Sequence, residues 1–485
     1  MLEETVDLML TERKDKMEET RKYVEAFLMQ HKISISPEKR TLLDGFIADK
    51  NTVDAVKTIK ENQKNMLDKW IIKNRIDDIE RQSVFLPNAI VGKKYEAKID
   101  FSELEWQDIV FFELLNLENS GLDYDSEKSI IKGIPRTSGD LKLRFLFRLE
   151  GEPDNAALHE KMLQLIINPD PKSLWKDIPS DRNDLYWKDE NVAVSDRFLD
   201  KRIVISSKRG RSHANVGSFR DDDFAYKNFE TSGWSVLAVS DGAGGYPVTR
   251  KGSQLACEAV VDYFDKNFTP DFLADFDKTI SEYNYKKDKT TLEKINTFVF
   301  TNLSKAAKYA NESIASFAVK ENRSISDFHS TLIFTLVKKY SFGYAVMTFS
   351  VGDCPIGLVN KDFSEVRLMN WLDVGEFGGG TRFVTMPEIF AHDNYASRFG
   401  FTLTDDFSYL MLMTDGIYDP KFVVEANLES IEKWKDLVED MKGKNEEGIC
   451  VDFSYENEKI AAQLSNWMDF WSPGNHDDRT LAIIY

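Results

Sequence analysis

The sequence predicts an α+β chain: a helical segment, a short β segment, then a large region of antiparallel sheets with helices packed outside. Three observations carry this reading. Residues 1–82 hold one proline, and their apolar residues recur at threes and fours, as in VEAFLMQ. Further on the period shortens to two: Leu141, Leu143, Phe145, Phe147 and Leu149 alternate with Lys142, Arg144 and Arg148, broken by Leu146. Beyond about residue 200, strand-like runs follow one another with no helix between them, as STLIFTLVKK and FGYAVMTFSVG do. A parallel doubly wound sheet needs a crossover between such runs, so antiparallel sheets are expected.

Taken in order, residues 1–82 read as a helical hairpin or small bundle, with Ser36 before Pro37 and Glu38 as a helix start. This segment is expected to be a dimerisation or docking arm without chemistry. Residues 83–150 read as strands, punctuated by Gly133, Pro135 and Gly139. Residues 151–198 are rich in Pro, Asp, Asn and Trp and read as a linker, packed down by Trp175, Tyr186 and Trp187. In 199–485 the expected strands are RIVISS, WSVLAVS, STLIFTLVKK, FGYAVMTFSVG, SYLMLMT and RTLAIIY. Helices are expected at about 251–268, 289–320, 428–442 and 454–469.

Composition narrows the class of function. The 485 residues are 42% hydrophobic, with 9 Trp and 33 Phe, enough to bury a large core. The formal net charge of −19 argues against nucleic-acid binding, which needs basic patches. No uncharged apolar run approaches the ~20 residues of a membrane span. The first residues, MLEETVDLMLTERKDKMEE, lack the apolar core of a signal peptide. Cys257, Cys354 and Cys450 are odd in number and show no CxxC spacing, which argues against a disulfide framework or a zinc site. A cytoplasmic protein is expected.

The chemistry resides in aspartates beside strand-like runs. Asp241 ends WSVLAVSD, Asp353 ends FGYAVMTFSVGD, Asp415 ends SYLMLMTD, and Asp477 opens into DDRTLAIIY; Asp222 lies in FRDDDFAY. Taken singly, Asp-Gly pairs are ordinary turns and DDD an ordinary solvated loop. Recurrence changes the balance. Carboxylates converging from several strand ends repel one another unless cations lie between them. An oxygen ligand set suits Mg²⁺ or Mn²⁺, and two such ions can bind a phosphoryl group and activate water.

The ordered set GRSHANVGSFRDDDF, VSDGAGG, HSTL, SVGDCPIGLV, GEFGGGTRFVT, LMTDGIYD and HDDRTLAIIY resembles the protein phosphatase 2C-like (PPM) family, in its bacterial branch, over roughly 200–485. The resemblance implies an αββα sandwich of two antiparallel sheets flanked by helices, with a two-metal site at one edge. By motif, Asp241 would bridge both metals and the Gly242 carbonyl would bind the second. Asp415 and Asp477 would complete the first. Asp222 matches the early acidic position that orders water at the metals. Asp353 and Asp419 match a weaker third-metal position. The implied cofactors are two Mn²⁺ or Mg²⁺ ions, with a third at that weaker position. The implied reaction is hydrolysis of phosphoserine or phosphothreonine by activated water, with no phosphoenzyme. The implied partners are a phosphoprotein substrate, with a cognate serine/threonine kinase as a further candidate, and neither nucleic acid nor membrane.

Departures leave parts of this open. Many relatives carry histidine directly after the Asp-Gly pair, a candidate general acid; here it is Ala243. A water or one of His213, His329 and His476 would have to serve, although His213 reads more simply as structural. The position of a phosphate-gripping arginine is Gly217, and Arg220, Arg211 and Arg250 are the candidates to replace it. GEFGGGT lacks a following GK[ST] and reads as a flap or turn rather than a phosphate loop. Cys354 reads as a small buried residue. A competing reading is a catalytically weak or inactive module that binds phosphoproteins or a kinase. In front, LPNAIVGKKYEAKI, GLDYD and IKGIPRTSGDLKLRF resemble the immunoglobulin-like domain of bacterial multidomain proteins over about 85–150. That resemblance implies a small β-sandwich acting as spacer or binding module.

Overall fold

A computed structural model describes residues 2–373, 381–391 and 393–485, and divides the chain into two compact units, Met1–Leu174 and Trp175–Tyr485. The motif GEFGGGT, read as a flap or turn, lies outside the described residues except for Thr381. Among the described residues no helix is long and apolar enough to cross a membrane.

The first unit opens with α1 (Leu2–Gln30), α2 (Arg40–Ala48) and α3 (Lys50–Arg81). Val24, Leu43, Ile47 and Val56 form a small core among them. The Asp49 carboxylate caps α3, accepting from the Asn51 and Thr52 N–H groups at 3.0 and 3.3 Å. Seven strands follow: β1 (Ala89–Ile90), β2 (Tyr95–Lys98), β3 (Ile109–Leu115), β4 (Leu122–Asp125), β5 (Ile130–Gly133), β6 (Gly139–Leu149) and β7 (His159–Asn168). They make two sheets, β1-β7-β6-β3 and β2-β5-β4, around one core that includes Trp106, Phe145 and Phe147. Ile79, near the C-terminal end of α3, is buried in that same core.

The expected linker is corrected in two places. Its HEKMLQLIIN run is β7, paired antiparallel with β6 from Gly139↔Ile167 to Phe147↔His159. Leu163, Leu165 and Ile167 alternate inward, and the buried Lys161 ammonium donates to the Glu80 and Gln82 carbonyls at 2.9 and 2.5 Å. Pro- and Asp-rich loops flank this strand, and their composition hides it. The second correction is β8 (Asn191–Phe198), which belongs to the second unit and pairs with β9 (Lys201–Lys208).

In the second unit the chain continues through α4 (Arg211–Val216), β10 (Asp223–Phe229), β11 (Trp234–Ser240), α5 (Thr249–Asn267), α6 (Pro270–Lys286) and α7 (Lys289–Lys320). Next come β12 (Leu332–Tyr340), β13 (Gly343–Val351), β14 (Ile356–Asn360), β15 (Val366–Leu368), β16 (Phe399–Thr404) and β17 (Phe407–Met413). It closes with α8 (Asp415–Phe422), α9 (Ile431–Met441), α10 (Ile460–Trp467) and β18 (Arg479–Ile484). Two antiparallel sheets result, β10-β11-β12-β13-β16 and β15-β14-β17-β18-β9-β8. The α+β class is as expected, and the layers run helix, sheet, sheet, helix.

Central strands here read as nearly continuous apolar runs because both of their faces are covered. Leu237 and Val239 of β11 point into the core between the sheets, with Ile205, Ile333, Ile356, Leu412 and Ala482. Val236 and Ala238 of the same strand face α5, α6 and α7, packing with Val260, Phe276 and Leu303. Met411, Met413 and Leu481 face the opposite helices through Ile417, Trp434 and Leu464.

Two expected outcomes follow from this packing. A Cβ on Gly357 would lie 2.0 Å from the fully buried Trp434 ring. Gly357→Ala should therefore cost about 1–3 kcal/mol in urea unfolding, with little change in far-ultraviolet dichroism. Although burial pushes its carboxyl up, Asp406 is held down at about 2 by Lys201 and Lys361, at 2.9 and 3.0 Å. A depressed carboxyl contributes stability that is fully present above its unfolded value and lost as pH falls through about 2. Asp406→Asn should be less stable than the parent at pH 6, the gap closing toward pH 2.

Candidate metal centre

The strand ends deliver their aspartates to one edge of the sheet pair. Asp241 leaves β11 and is pinned at once: its N–H donates to Thr331 Oγ1 at 2.9 Å and its carbonyl accepts from the Thr331 N–H at 2.8 Å. The Ala243 N–H then donates to the His329 carbonyl at 3.0 Å. Between them Gly242 has no room for a side chain, since a Cβ would stand 2.7 Å from the Asp221 carbonyl oxygen.

Asp353 leaves β13. Its Oδ2 accepts from Thr381 Oγ1 at 2.8 Å, while its Oδ1 is buried with no partner. Asp415 opens α8, and Asp419 follows one turn later, accepting from Asn475 Nδ2 at 3.1 Å. Asp477 precedes β18, its N–H bonded to Asn475 Oδ1 at 3.1 Å. Asp222 is wholly buried. Its Oδ2 accepts from Thr414 Oγ1 and Thr480 Oγ1 at 2.8 and 2.7 Å, and its Oδ1 has no partner.

These groups act on one another. Burial pushes the Asp241 carboxyl well above the usual range, and the charges of Asp415, Asp222, Asp477 and Asp353 push it further. Burial does the same to Asp415, reinforced by Asp477, Asp353, Asp222 and Asp419. Asp222 is pushed up to about 7 by burial and by the charges of Asp478 and Asp477, against the two threonine hydrogen bonds. Asp353, Asp419 and Asp477 are raised as well, each first by burial. Oxygens of Asp241 and Asp353 lie within 4.8 Å of one another, Asp477 groups instead with His213 and Asp478, and Asp415, Asp222 and Asp419 act on this set through their charges. Buried carboxyl oxygens without partners, crowded by like charges, fit divalent cations.

Beside them lies a pair that sequence reasoning missed. Asp478 accepts from the Gly210 N–H at 2.5 Å, from the Asp221 N–H, and from His213 Nδ1 at 3.0 Å. Burial opposes the charge on His213, but the hydrogen bond and charge of Asp478, with Asp221 and Asp477, raise it to about 9. Asp478 is correspondingly held below the usual range. The available signal was the doubled aspartate in HDDRT and the lone histidine of GRSHAN, two fragments far apart in the chain.

The arginine expectations need correction. Arg220 is 3% exposed and donates to Ser207 Oγ and the Asp222 carbonyl, both at 2.6 Å, and to the Asp189 carbonyl at 3.0 Å. Arg250 donates to the Tyr186 and Pro247 carbonyls and to Asp184, with its guanidinium 3.9 Å from the centre of the Phe219 ring. Arg211 donates to the Phe470 and Asp469 carbonyls and lies over Trp471. All three fasten loops of the fold, so none is placed as a free phosphate clamp. Gly217, where an arginine was sought, ends α4 in the left-handed region at φ 71°, which favours glycine. His329 bonds to Thr385 Oγ1 at 2.5 Å and stacks on Phe383; His476 lies between Trp175 and Trp471.

The family model described as Protein phosphatase 2C matches residues 209–468. The chain belongs to the protein phosphatase 2C family. Phosphatases of this family use divalent metals. Among curated proteins none matches the chain. The solved structure of a Staphylococcus aureus serine/threonine phosphatase is 13% identical, covering 59% of this chain and 95% of its own, with a TM-score of 0.35. The S. agalactiae serine/threonine phosphatase is 13% identical over 60% of this chain and 99% of its own, with a TM-score of 0.32. The catalytic domain of the phosphatase PstP, solved with two manganese ions, is 15% identical over 60% of this chain and 98% of its own, with a TM-score of 0.34. Likeness at that level carries no argument about this chain's chemistry. In this protein phosphatase 2C family member the matched region ends before Asp477, whose charge acts on Asp415 and Asp241.

Removing one of the repelling carboxylates should relieve the metal-free protein. Asp241→Asn, measured in EDTA by calorimetry, is expected to melt about 2–4 °C above the parent. The same substitution should erase the stabilisation that Mn²⁺ brings to the parent.

Proposed function

We propose that this chain is a metal-dependent protein serine/threonine phosphatase acting through a two-metal centre of Mn²⁺ or Mg²⁺. The observation that carries the reading is the convergence of Asp222, Asp241, Asp353, Asp415, Asp419 and Asp477, with unpartnered buried oxygens on Asp222 and Asp353. Asp241, Asp415 and Asp477 would hold one cation, and Asp241 with the Gly242 carbonyl a second. Asp353 and Asp419 would hold a weaker third. Bound there, the cations would supply Lewis acidity and activate water for attack on a phosphoserine or phosphothreonine monoester.

The chain's own groups set the geometry. Thr414 and Thr480 fix Asp222 through one oxygen, which leaves the other free to accept from a water and orient it. Thr331 and Thr381 do the same for the Asp241 backbone and the Asp353 carboxylate. The substrate is a phosphoprotein, with a cognate kinase as a further partner, in the cytoplasm. The helical and immunoglobulin-like segments in front would select substrates or partners.

A second reading, a catalytically weak module that binds phosphoproteins or a kinase, is favoured by Ala243 and by the engagement of Arg211, Arg220 and Arg250 in the fold. One assay separates the two. Hydrolysis of a phosphothreonine peptide with Mn²⁺ should fall at least about a hundredfold in EDTA and in Asp241→Ala. Activity that survives both treatments would sink the two-metal reading. Metal binding by calorimetry without hydrolysis would select the second.

A further inference from the structure

The loop that carries Asp241 ends on an exposed ring. After Gly242 come Ala243, Gly244 and Gly245, and a Cβ built on either of the last two would meet nothing within 4 Å. The next side chain, Tyr246, is 42% exposed. Its ring packs edge-on against His329, with centroids 4.9 Å apart and planes at 68°, and lies 6.5 Å from the Phe383 ring. His329 and Phe383 stack at 5.0 Å and 22°. Three rings from three segments form a shelf.

Each segment is tied to the metal edge. The His329 carbonyl accepts the Ala243 N–H at 3.0 Å, and His329 lies two residues before Thr331, which holds the Asp241 backbone. Phe383 lies two residues after Thr381, which donates to Asp353 at 2.8 Å. The Val384 N–H donates to the Ser330 carbonyl at 2.9 Å and joins these two segments. The turn at Gly244 and Gly245, the latter at φ 88°, keeps Tyr246 nearer to Asp241 than an extended chain would. The His329 ring is fixed by Thr385 Oγ1 at 2.5 Å, and burial pushes its imidazole down, so it is uncharged near neutral pH. Across 241–246, 327–331 and 381–388 the charged residues are Asp241, Asp327, Glu388 and a single cation, Arg382. Asp327, paired with Arg323 at 3.5 Å, and Glu388 both act on His329 through their charges.

We propose that Tyr246, His329 and Phe383 form a specificity shelf for the residue flanking the phosphorylated one, and that the shelf selects a basic side chain, arginine or lysine. The inference rests on the phosphatase reading above and deepens it by naming the substrate class. A cation over an exposed tyrosine ring is attracted by the negative face of the ring, and a guanidinium plane also stacks on it. The acidic surroundings, on a chain of formal net charge −19, draw basic peptides and oppose acidic ones.

The full chain is assayed in Mn²⁺ with phosphothreonine peptides that differ only in the flanking residues, which are arginine, leucine or glutamate. A fourth substrate, p-nitrophenyl phosphate, has no flanking residue. We expect kcat/KM to fall from arginine to leucine to glutamate, with arginine at least about fivefold above glutamate. Tyr246→Ala should cut the arginine-over-leucine ratio about threefold, mainly through KM. Tyr246→Phe keeps the ring and should keep the ratio. Equal rates on the three peptides, a preference for leucine or glutamate, or an arginine preference that Tyr246→Ala leaves intact overturns the inference. A loss in Tyr246→Ala spread evenly over all four substrates overturns it too. Mn²⁺-dependent hydrolysis of p-nitrophenyl phosphate beside any of these results leaves the phosphatase reading standing. No Mn²⁺-dependent hydrolysis of any of the four overturns both.

Discussion

Mutual repulsion among crowded carboxylates, Asp222 buried and most of the others half-buried, is the constraint around which the second unit is arranged. Asp241 and Asp415 feel burial first and then their acidic neighbours, and both influences oppose ionisation. Side chains alone would relieve such crowding by moving apart. They are prevented by what lies beneath them. Ile205, Leu237, Ile333, Ile356 and Leu412 fill the space between the two sheets, and strands anchored there cannot shift their ends independently. Packing holds the charges together, and a cation would relieve their repulsion.

Neutral hydroxyls do the fine positioning. Thr331 holds the Asp241 backbone, Thr381 the Asp353 carboxylate, and Thr414 with Thr480 the Asp222 carboxylate. A hydroxyl braces a carboxylate without neutralising it, so the negative charge stays available to a metal. Cationic groups are kept one step back. His213 bonds to Asp478, with Asp477 in the same group, and Arg220 and Arg250 bind carbonyls of the surrounding loops. The arginines stiffen the loops, and among the central aspartates Asp477 feels the charge of His213.

Much of this was legible along the chain because strands and their ends are local. WSVLAVSD announces a strand buried on both faces that stops at an acid, and SYLMLMTD repeats the pattern. Such runs need no partner to be recognised. Other features needed one. HEKMLQLIIN became a strand only beside β6, and its Pro- and Asp-rich surroundings resembled a linker. His213 and Asp478 meet across 265 positions, a separation that no local pattern reports. An arginine near a candidate phosphate site looks the same in sequence whether its guanidinium is free or bonded to carbonyls, as those of Arg211, Arg220 and Arg250 are.

By itself the sequence determined the α+β class, the order of the acidic motifs, and the residue types able to bind a divalent cation. These follow from period, composition and spacing, each a property of neighbouring residues. Tertiary structure alone decided which oxygens are left unpartnered, which cations are engaged elsewhere, and that the rings of Tyr246, His329 and Phe383 meet. Those outcomes depend on distances between segments far apart in the chain, and such distances exist only once the two sheets have packed.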